Sequence, residues 1–235
     1  MSGFVSFKDV IKNFTVGRGL VVEALKGLSF DIDEGEFVVI VGPSGSGKTT
    51  LLNLLGGMDK PTSGEIVAGG HDVANMTEKQ LTLYRRHGVG FVFQFYNLMP
   101  NLTALENIEL AIEICKDPYD PSEILKGVGL EERAKNFPCQ LSGGEQQRVS
   151  IARAIAKNPK IILCDEPTGA LDYETGKRIL KLLHDLCKEK NKTVIIVTHN
   201  AALKAMADKV ISIKNGHVEH IETNPTPLAI EEIEW

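Results

Sequence analysis

Long apolar runs are missing from this chain of 235 residues. None approaches the roughly 18 consecutive apolar residues of a membrane-spanning helix. If the protein works at a membrane, another chain is expected to supply the spans. The start, MSGFVSFKDV, has no cationic stretch followed by a long apolar one, so no secretory leader is expected. Cysteine is sparse: Cys115, Cys139, Cys164 and Cys187 are widely spaced and form no CxxC pair. That argues against a disulfide framework or a thiolate metal site, and Cys164, inside the apolar run IILCD, reads as a reduced core thiol. Positive charge is not in excess either. The net charge of −5 gives no whole-chain attraction to DNA or RNA, so no nucleic-acid partner is expected, although a local basic patch is still compatible with it. Asn13, Asn101 and Asn191 open Asn-x-Ser/Thr triplets, read as chance in a chain expected to stay in the cytoplasm. No internal repeat is visible.

What is present is a core-forming composition, 43% apolar, in a length that suits one domain with a lobe inserted in it. The strand-like runs are FVSF, FVVIVG, GFVF, KIILCD, TVIIVT, KVISI and HVEHI. FVVIV, IILC and VIIV barely alternate between apolar and polar residues, as parallel strands buried on both faces do. Helix-like segments at Lys48–Leu55, Gly176–Glu189 and roughly Ala201–Ala207 follow several of these runs. The alternation predicts an α/β layered core, with an antiparallel edge layer from residues 1–32. Between about Asn97 and Asn158 the chain reads as helix. A mostly helical lobe is therefore expected between a strand ending near Gln94 and one starting near Ile161. In residue ranges, the single domain over 1–235 divides into a core with its β-layer at 1–95 and 159–221, a helical lobe at 96–158 and a tail at 222–235. The tail, with two prolines, is expected to be either loose or a small docking helix.

GPSGSGKTT, Gly42 to Thr50, fits the G-x-x-x-x-G-K-[ST] phosphate loop, with a strand before it and a helix after it. Gly42, Gly45 and Gly47 let the backbone wrap closely. The exposed N–H groups and the helix N-terminus then face an anion. Lys48 is expected to reach the β- and γ-phosphates, and Thr49 to place its hydroxyl on Mg²⁺. IILCDE ends a strand in two acids. Asp165 suits the carboxylate that holds Mg²⁺, and Glu166 the general base that orients water. Taken alone, Gln94 and His199 are ordinary strand-end polar residues. The order of the elements raises them to candidates for metal or water contact and for the γ-phosphate.

QLSGGEQQR, Gln140 to Arg148, offers a second cradle. Ser142 followed by Glu145 also fits a helix capping box. The pair Gly143 and Gly144 leaves the helix start free for a phosphate to approach. One nucleotide does not easily fill two cradles in separate lobes. A two-fold dimer resolves this if the Ser142 loop of one copy closes on the γ-phosphate held by Lys48 of the other. GALD, ending in Asp172, is placed to carry a signal across that interface.

Together these motifs resemble the ATP-binding subunit of an ABC transporter over nearly the whole chain. GPSGSGKTT resembles the Walker A loop, Gln94 the Q-loop glutamine and LSGGE the signature. IILCDEPTGALD resembles Walker B with the D-loop, and His199 the switch histidine. The resemblance implies a RecA-like P-loop NTPase core with an antiparallel β-subdomain and an inserted helical subdomain. It implies ATP and Mg²⁺ as cofactors, a homodimer formed on ATP, a separate transmembrane permease, and a peripheral cytoplasmic position on the cell membrane. Nucleotide contacts are implied for Gly42, Pro43, Ser44, Gly45, Ser46, Gly47, Lys48, Thr49, Thr50, Gln94, Asp165 and Asp172, with Ser142, Gly143, Gly144 and Glu145 acting from the second copy. Lys48, Gln94, Glu166 and His199 are implied for catalysis, and Thr49, Gln94 and Asp165 for the metal. FVFQFYNLMPNLTALENIEL and the signature-to-D-loop stretch are similar to the branch of lipoprotein-release, macrolide-efflux and cell-division ATPases. Two departures stand out. Glu145 replaces the usual glutamine of the signature, and Phe14 is the candidate for the usual tyrosine under the adenine, since stacking needs no hydroxyl. The rival reading is a soluble, non-transport ABC ATPase, for example in iron–sulfur cluster assembly.

Overall fold

The computed structural model describes residues 3–17 and 19–234. Two long antiparallel strands, β1 (Val5–Val16) and β2 (Leu20–Ile32), open the chain. β3 (Phe37–Val41) leads through the glycine-rich loop into α1 (Lys48–Leu55). β4 (Ser63–Ala68), short β5 (His71–Asp72), α2 (Glu78–His87) and β6 (Val89–Val92) follow. Three helices, α3 (Ala104–Ile112), α4 (Pro121–Gly127) and α5 (Gly143–Ala156), precede β7 (Ile161–Asp165). α6 (Tyr173–Lys190), β8 (Thr193–Thr198), a 3-10 stretch at Ala201–Met206, β9 (Lys209–Lys214) and β10 (His217–Thr223) complete the order.

The strands form a four-stranded antiparallel sheet, β2-β1-β4-β5, and a six-stranded sheet, β10-β9-β3-β8-β7-β6. The second sheet is parallel except for the edge hairpin of β9 and β10. Its central strands lack polar alternation because both faces are covered. Val39, Val41, Cys164 and Ile196 face a core shared with Val149, Ile151, Ile179 and Leu183 of α5 and α6. Val38, Ile40, Leu163 and Ile195 face the other core, against Leu51 and Leu55 of α1 and Phe7 and Leu28 of the antiparallel sheet. Each such side chain contributes roughly 1.5–3 kcal/mol on full burial, so a polar residue at any of these strand positions would be costly.

Several elements differ from expectation. α6 begins at Tyr173, because Asp172 caps it by accepting the Thr175 N–H at 3.0 Å. The 201–207 segment is 3-10 rather than α. α2, β4 and β5 were not expected. β6 stops at Val92, so Gln94 lies in the following loop rather than at a strand end. The tail is a docked strap. Ile230 and Ile233 are buried against the α5/α6 core, with a 3-10 turn at Ile230–Glu232. The Tyr173 hydroxyl donates to the carbonyl of Ile233 at 3.0 Å, and Leu228 N–H donates to the carbonyl of Ala205 at 2.9 Å.

Candidate nucleotide site

Strand order assembles the candidate residues. β3, β8, β7 and β6 are neighbours and parallel, so the loops leaving their carboxyl ends share one edge of the sheet. Those loops carry the glycine-rich segment, His199, Glu166 just after Asp165 at the end of β7, and Gln94. Register sharpens this: Val41 pairs with Thr198, and Asp165 with Val197, so the three ends stop at nearly the same level. A cavity of about 960 Å³ opens there. Its walls include Ser44, Gly45, Gly47, Lys48, Thr49, Thr50, Gln94, Asp165, Glu166 and His199.

The loop is built tightly. Gly47 has φ +102°, and a Cβ there would lie 2.7 Å from the carbonyl oxygen of Ala24 and 2.6 Å from Leu25 Cδ2. A Cβ on Gly42 would sit 2.1 Å from the carbonyl oxygen of Ile213. Lys48, only 8% exposed, donates to the carbonyl oxygens of Gly42 (2.8 Å) and Pro43 (3.0 Å), so its charge meets dipoles rather than a carboxylate in ion-pair contact. The Ser46 hydroxyl is buried with no hydrogen-bond partner. An under-neutralised ammonium, an orphan hydroxyl and a loop leading into a helix N-terminus fit a polyphosphate.

The acidic pair is held by two sets of bonds. Thr49 Oγ1 donates to Asp165 Oδ2 at 2.9 Å. Burial pushes the Asp165 carboxyl above its usual range, the Thr49 hydrogen bond opposes this, and Glu166 adds to the rise. A threonine hydroxyl beside a buried carboxylate is an oxygen donor set that suits a hard divalent cation such as Mg²⁺. Glu166 adopts φ +51°, a left-handed conformation rare for a side chain of this kind. Its Oε2 accepts from the Thr198 hydroxyl at 2.8 Å, and its Oε1 accepts from the His199 N–H at 2.9 Å.

Other candidates lie outside the cavity wall. Phe14 is 39% exposed rather than packed in the core, pairs with Val22 across β1 and β2, and carries Lys12 Nζ 4.8 Å from its ring centroid. Val22, Glu23 and Ala24 reach the cavity, and Phe14 does not line it. Ser142 and Glu145 form the capping box of α5. Ser142 N–H donates to Glu145 Oε2 (2.8 Å), Glu145 N–H donates to Ser142 Oγ (3.2 Å), and Arg133 Nε donates to Glu145 Oε1 (3.0 Å). The Ser142 backbone bond, above all, holds the Glu145 carboxyl below its usual range. The glycine pair has contacts within the chain. A Cβ on Gly143 would come within 3.0 Å of the Tyr96 hydroxyl, and one on Gly144 within 3.0 Å of the carbonyl of Ala170. Pro43 and Asp172 are also outside the wall. Sequence reading passed over Thr198 and Gln147. Thr198 was signalled only by standing next to His199, and Gln147 by being a polar residue one helical turn beyond Gly143.

A strand–glycine loop–helix unit with acids at the end of another parallel strand of the same sheet, one strand removed, defines a P-loop nucleotide-binding protein. A family model described as ABC transporter matches residues 25–169. The chain is 48% identical to the ABC transporter ATP-binding protein MJ0796 of Methanocaldococcus jannaschii, over 93% of this chain and 96% of that protein. It is 44% identical to the ABC transporter ATP-binding protein MG065 homolog of Mycoplasma pneumoniae, over 98% of this chain and 50% of that protein. It is also 44% identical to the macrolide export ATP-binding/permease protein MacB of Shigella sonnei, over 99% of this chain and 36% of that protein. The solved dimer of MJ0796 in a post-hydrolysis state, bound to ADP and Pi, superposes with a TM-score of 0.88 at 45% identity, covering 93% of this chain and 98% of that one. The chain belongs to the ABC transporter ATP-binding family, and its similarity to MacB agrees with the branch expected from sequence. Its fold is the mixed α/β ATPase cassette of that family. It spans about half the length of the Mycoplasma relative.

Proposed function

We propose that this chain is the ATP-hydrolysing motor of an ABC transporter complex, closing as a homodimer over two ATP molecules and driving a separate membrane permease. The observation that carries this reading is the convergence of Lys48, Thr49, Asp165, Glu166, Gln94 and His199 on one cavity at adjacent strand ends. The ADP and Pi in the MJ0796 dimer support the same reaction for this chain. So does the presence of both an acid pair and a histidine, which a binding-only module does not need.

In this reading Lys48 leaves the carbonyls of Gly42 and Pro43 for the phosphates, and the Ser46 hydroxyl gains a partner. Mg²⁺, when bound, would neutralise charge on the β- and γ-phosphates, and Thr49, Asp165 and Gln94 would hold it. Glu166 takes a proton from the attacking water and aims its oxygen at the γ-phosphorus, whose bond to the bridging oxygen of ADP breaks, so that ADP and inorganic phosphate leave. His199 and Lys48 steady the charge on the transferred group. Ser142, Gly143 and Gly144 of a second copy complete the site, with Asp172 at the interface. Phe14 stacks on the adenine from the β-layer. Residues 96–158 act as the helical lobe that the second copy engages, and residues 1–95 and 159–221 as the nucleotide-binding core.

A second cavity, about 370 Å³, supports a docking groove for the permease between the lobes. It is lined in part by Met58, Phe91, Phe93 and Asn97. Phe95, 78% exposed, and Met99 stand nearby in the chain as uncovered apolar side chains. None of the helices among the described residues is long and apolar enough to cross a membrane, so the permease would be another polypeptide or another segment. The chain would then sit at the cytoplasmic face.

Two measurements test this. Purified chain should release phosphate from ATP in a Mg²⁺-dependent manner over many turnovers, and cysteines placed at Ser142 and Ser44 should crosslink between subunits only with ATP. Affinity capture from gently solubilised native membranes should bring down a polytopic membrane protein in stoichiometric amount. Reproducible capture of soluble partners alone would favour the cluster-assembly type of ATPase instead.

A further inference from the structure

Gln147 is 1% exposed on α5, and its side-chain Nε2 finds no hydrogen-bond partner. Buried amide donors are paired in the great majority of cases, and an orphan costs about as much as a lost hydrogen bond. A methionine of the same length would fill this place without that cost, so stability alone does not explain the amide. Gln147 lines the main cavity together with Asp165, Glu166, Gly169 and Ala170.

The surroundings give it a task. The turn that leaves β7 is strained at Glu166, and strain of this kind persists only where neighbours fix the backbone. Thr198 and His199 fix the Glu166 end of the turn through its carboxylate. Within the turn, Gly169 N–H donates to the carbonyl of Glu166 at 3.2 Å, and Leu171 N–H to that of Thr168 at 3.0 Å. The far end lies against α5, where Gly144 is in close approach to the carbonyl of Ala170. Gln147 follows Gly144 by one turn of that helix and faces the cavity between the two anchors. On the other side of α5, Arg153 donates to the carbonyls of Tyr96 (2.9 Å) and Asn97 (2.5 Å), the loop just after Gln94. α5 is thus wedged between the loops that carry Gln94 and Glu166.

We propose that Gln147 is a positioning residue for Glu166: its unpartnered amide donates to a backbone carbonyl of the Glu166–Ala170 turn and locks that turn against α5 in the nucleotide-bound protein. This rests on the hydrolytic reading of the same cavity. Glu166 needs its carboxylate aimed to within a fraction of an ångström, and among the described residues no hydrogen bond joins α5 to the turn.

The test compares full-length wild type with Gln147→Met and Gln147→Asn. Thermal unfolding is measured without nucleotide, and KM and kcat for ATP are measured by continuous phosphate release. Gln147→Met should keep or raise the Tm, leave KM within about threefold and lower kcat by roughly tenfold or more, the size expected when a reacting group is held out of place. Gln147→Asn keeps an amide and should recover part of kcat, since the space of the lost methylene lets a water bridge the shorter side chain to the turn. If methionine is not accommodated, Gln147→Leu serves the same comparison. A kcat within about twofold of wild type in the Met variant overturns the proposal, as does a fall in kcat that tracks a fall in Tm. Wild type that hydrolyses normally beside an unaffected variant sinks this inference alone. Wild type without turnover sinks the hydrolytic reading with it.

Discussion

Glu166 and His199 meet twice. The backbone N–H of His199 donates to Glu166 Oε1 at 2.9 Å, and the ring Nδ1 of His199 lies 2.8 Å from the same oxygen. The candidate base and the candidate phosphate contact are therefore one hydrogen-bonded unit, built where β7 and β8 end side by side. Glu166→Gln retains the shape and one acceptor oxygen for the His199 N–H, with its NH₂ turned to the Thr198 hydroxyl oxygen, but removes the basic carboxylate. It should fold normally, bind ATP and remain dimeric with ATP, while multiple-turnover phosphate release falls by about 100-fold or more. Turnover close to wild type would remove Glu166 from the role of base.

Asp165 carries a pH signature. Burial raises its pKa above the ordinary aspartate value, and Thr49 only partly offsets this. A carboxyl whose folded pKa is raised favours folding in its protonated form. That contribution is fully present below the unfolded pKa and is lost as pH rises through the folded pKa. At neutral pH the carboxylate is therefore a cost to the nucleotide-free fold. Asp165→Asn keeps an acceptor for the Thr49 hydroxyl and removes the charge. Its Tm at pH 7 should exceed that of wild type, and the gap should narrow on acidification as wild-type Asp165 takes up its proton. Phosphate release should be lost in the same variant. A gap that widens at low pH would show that burial is not what governs Asp165.

Much of this architecture is legible in the sequence where one physical signal dominates. FVVIV, IILC and VIIV announce double-sided burial, and α1 runs from Lys48 to Leu55 as read, because the loop and its apolar stripe leave no other start or end. α2 was missed although Thr77 and Gln80 form a capping box ahead of Leu81 and Tyr84, because the helix is mostly polar and buries only those two side chains. β4 was missed because SGEIVA becomes a strand through pairing with β1, a partner far away in sequence. Gln94 was read one element too early. β6 loses its last partner at the Val92–Cys164 pair, which local composition does not reveal. The glycine pair shows the limit of motif reading: local sequence suggests access for a phosphate, whereas Tyr96 and Ala170 show that the chain's own packing also requires small residues there.

Glu145 is the departure most open to test. A second carboxylate near a triphosphate would repel it if it faced that way. Here its two oxygens accept from Ser142 N–H and Arg133 Nε, so the charge is already engaged at the start of α5. Glu145→Gln retains the capping box, since glutamine serves at this position too. It loses only the partly exposed pair with Arg133, worth at most about 1 kcal/mol. ATP affinity, measured by titration calorimetry on a hydrolysis-deficient background, should change by less than about threefold, equivalent to under ~0.7 kcal/mol. A sharp gain in affinity would mean that Glu145 reaches the nucleotide of the second copy despite these bonds.

The C-terminal strap contributes to the fold that holds Asp172. It lies on α6 directly after that residue, with Ile230 and Ile233 buried and Tyr173 donating to Ile233. Lys177 Nζ also donates to the carbonyl of Glu231 at 3.1 Å, so the strap is bonded along the first turns of the helix. Ile233→Ala should lower stability by about 2–4 kcal/mol in chemical denaturation, as for other buried isoleucines cut to alanine. Tyr173→Phe should cost about 1 kcal/mol, the worth of one neutral hydrogen bond. The two changes act on one strap, so once Ile233 is cut back the Tyr173 bond has less to hold. The double variant should therefore lose less than the sum of the singles. Full additivity would mean that the apolar anchor and the hydrogen bond act independently, and that the strap is not a single cooperative unit.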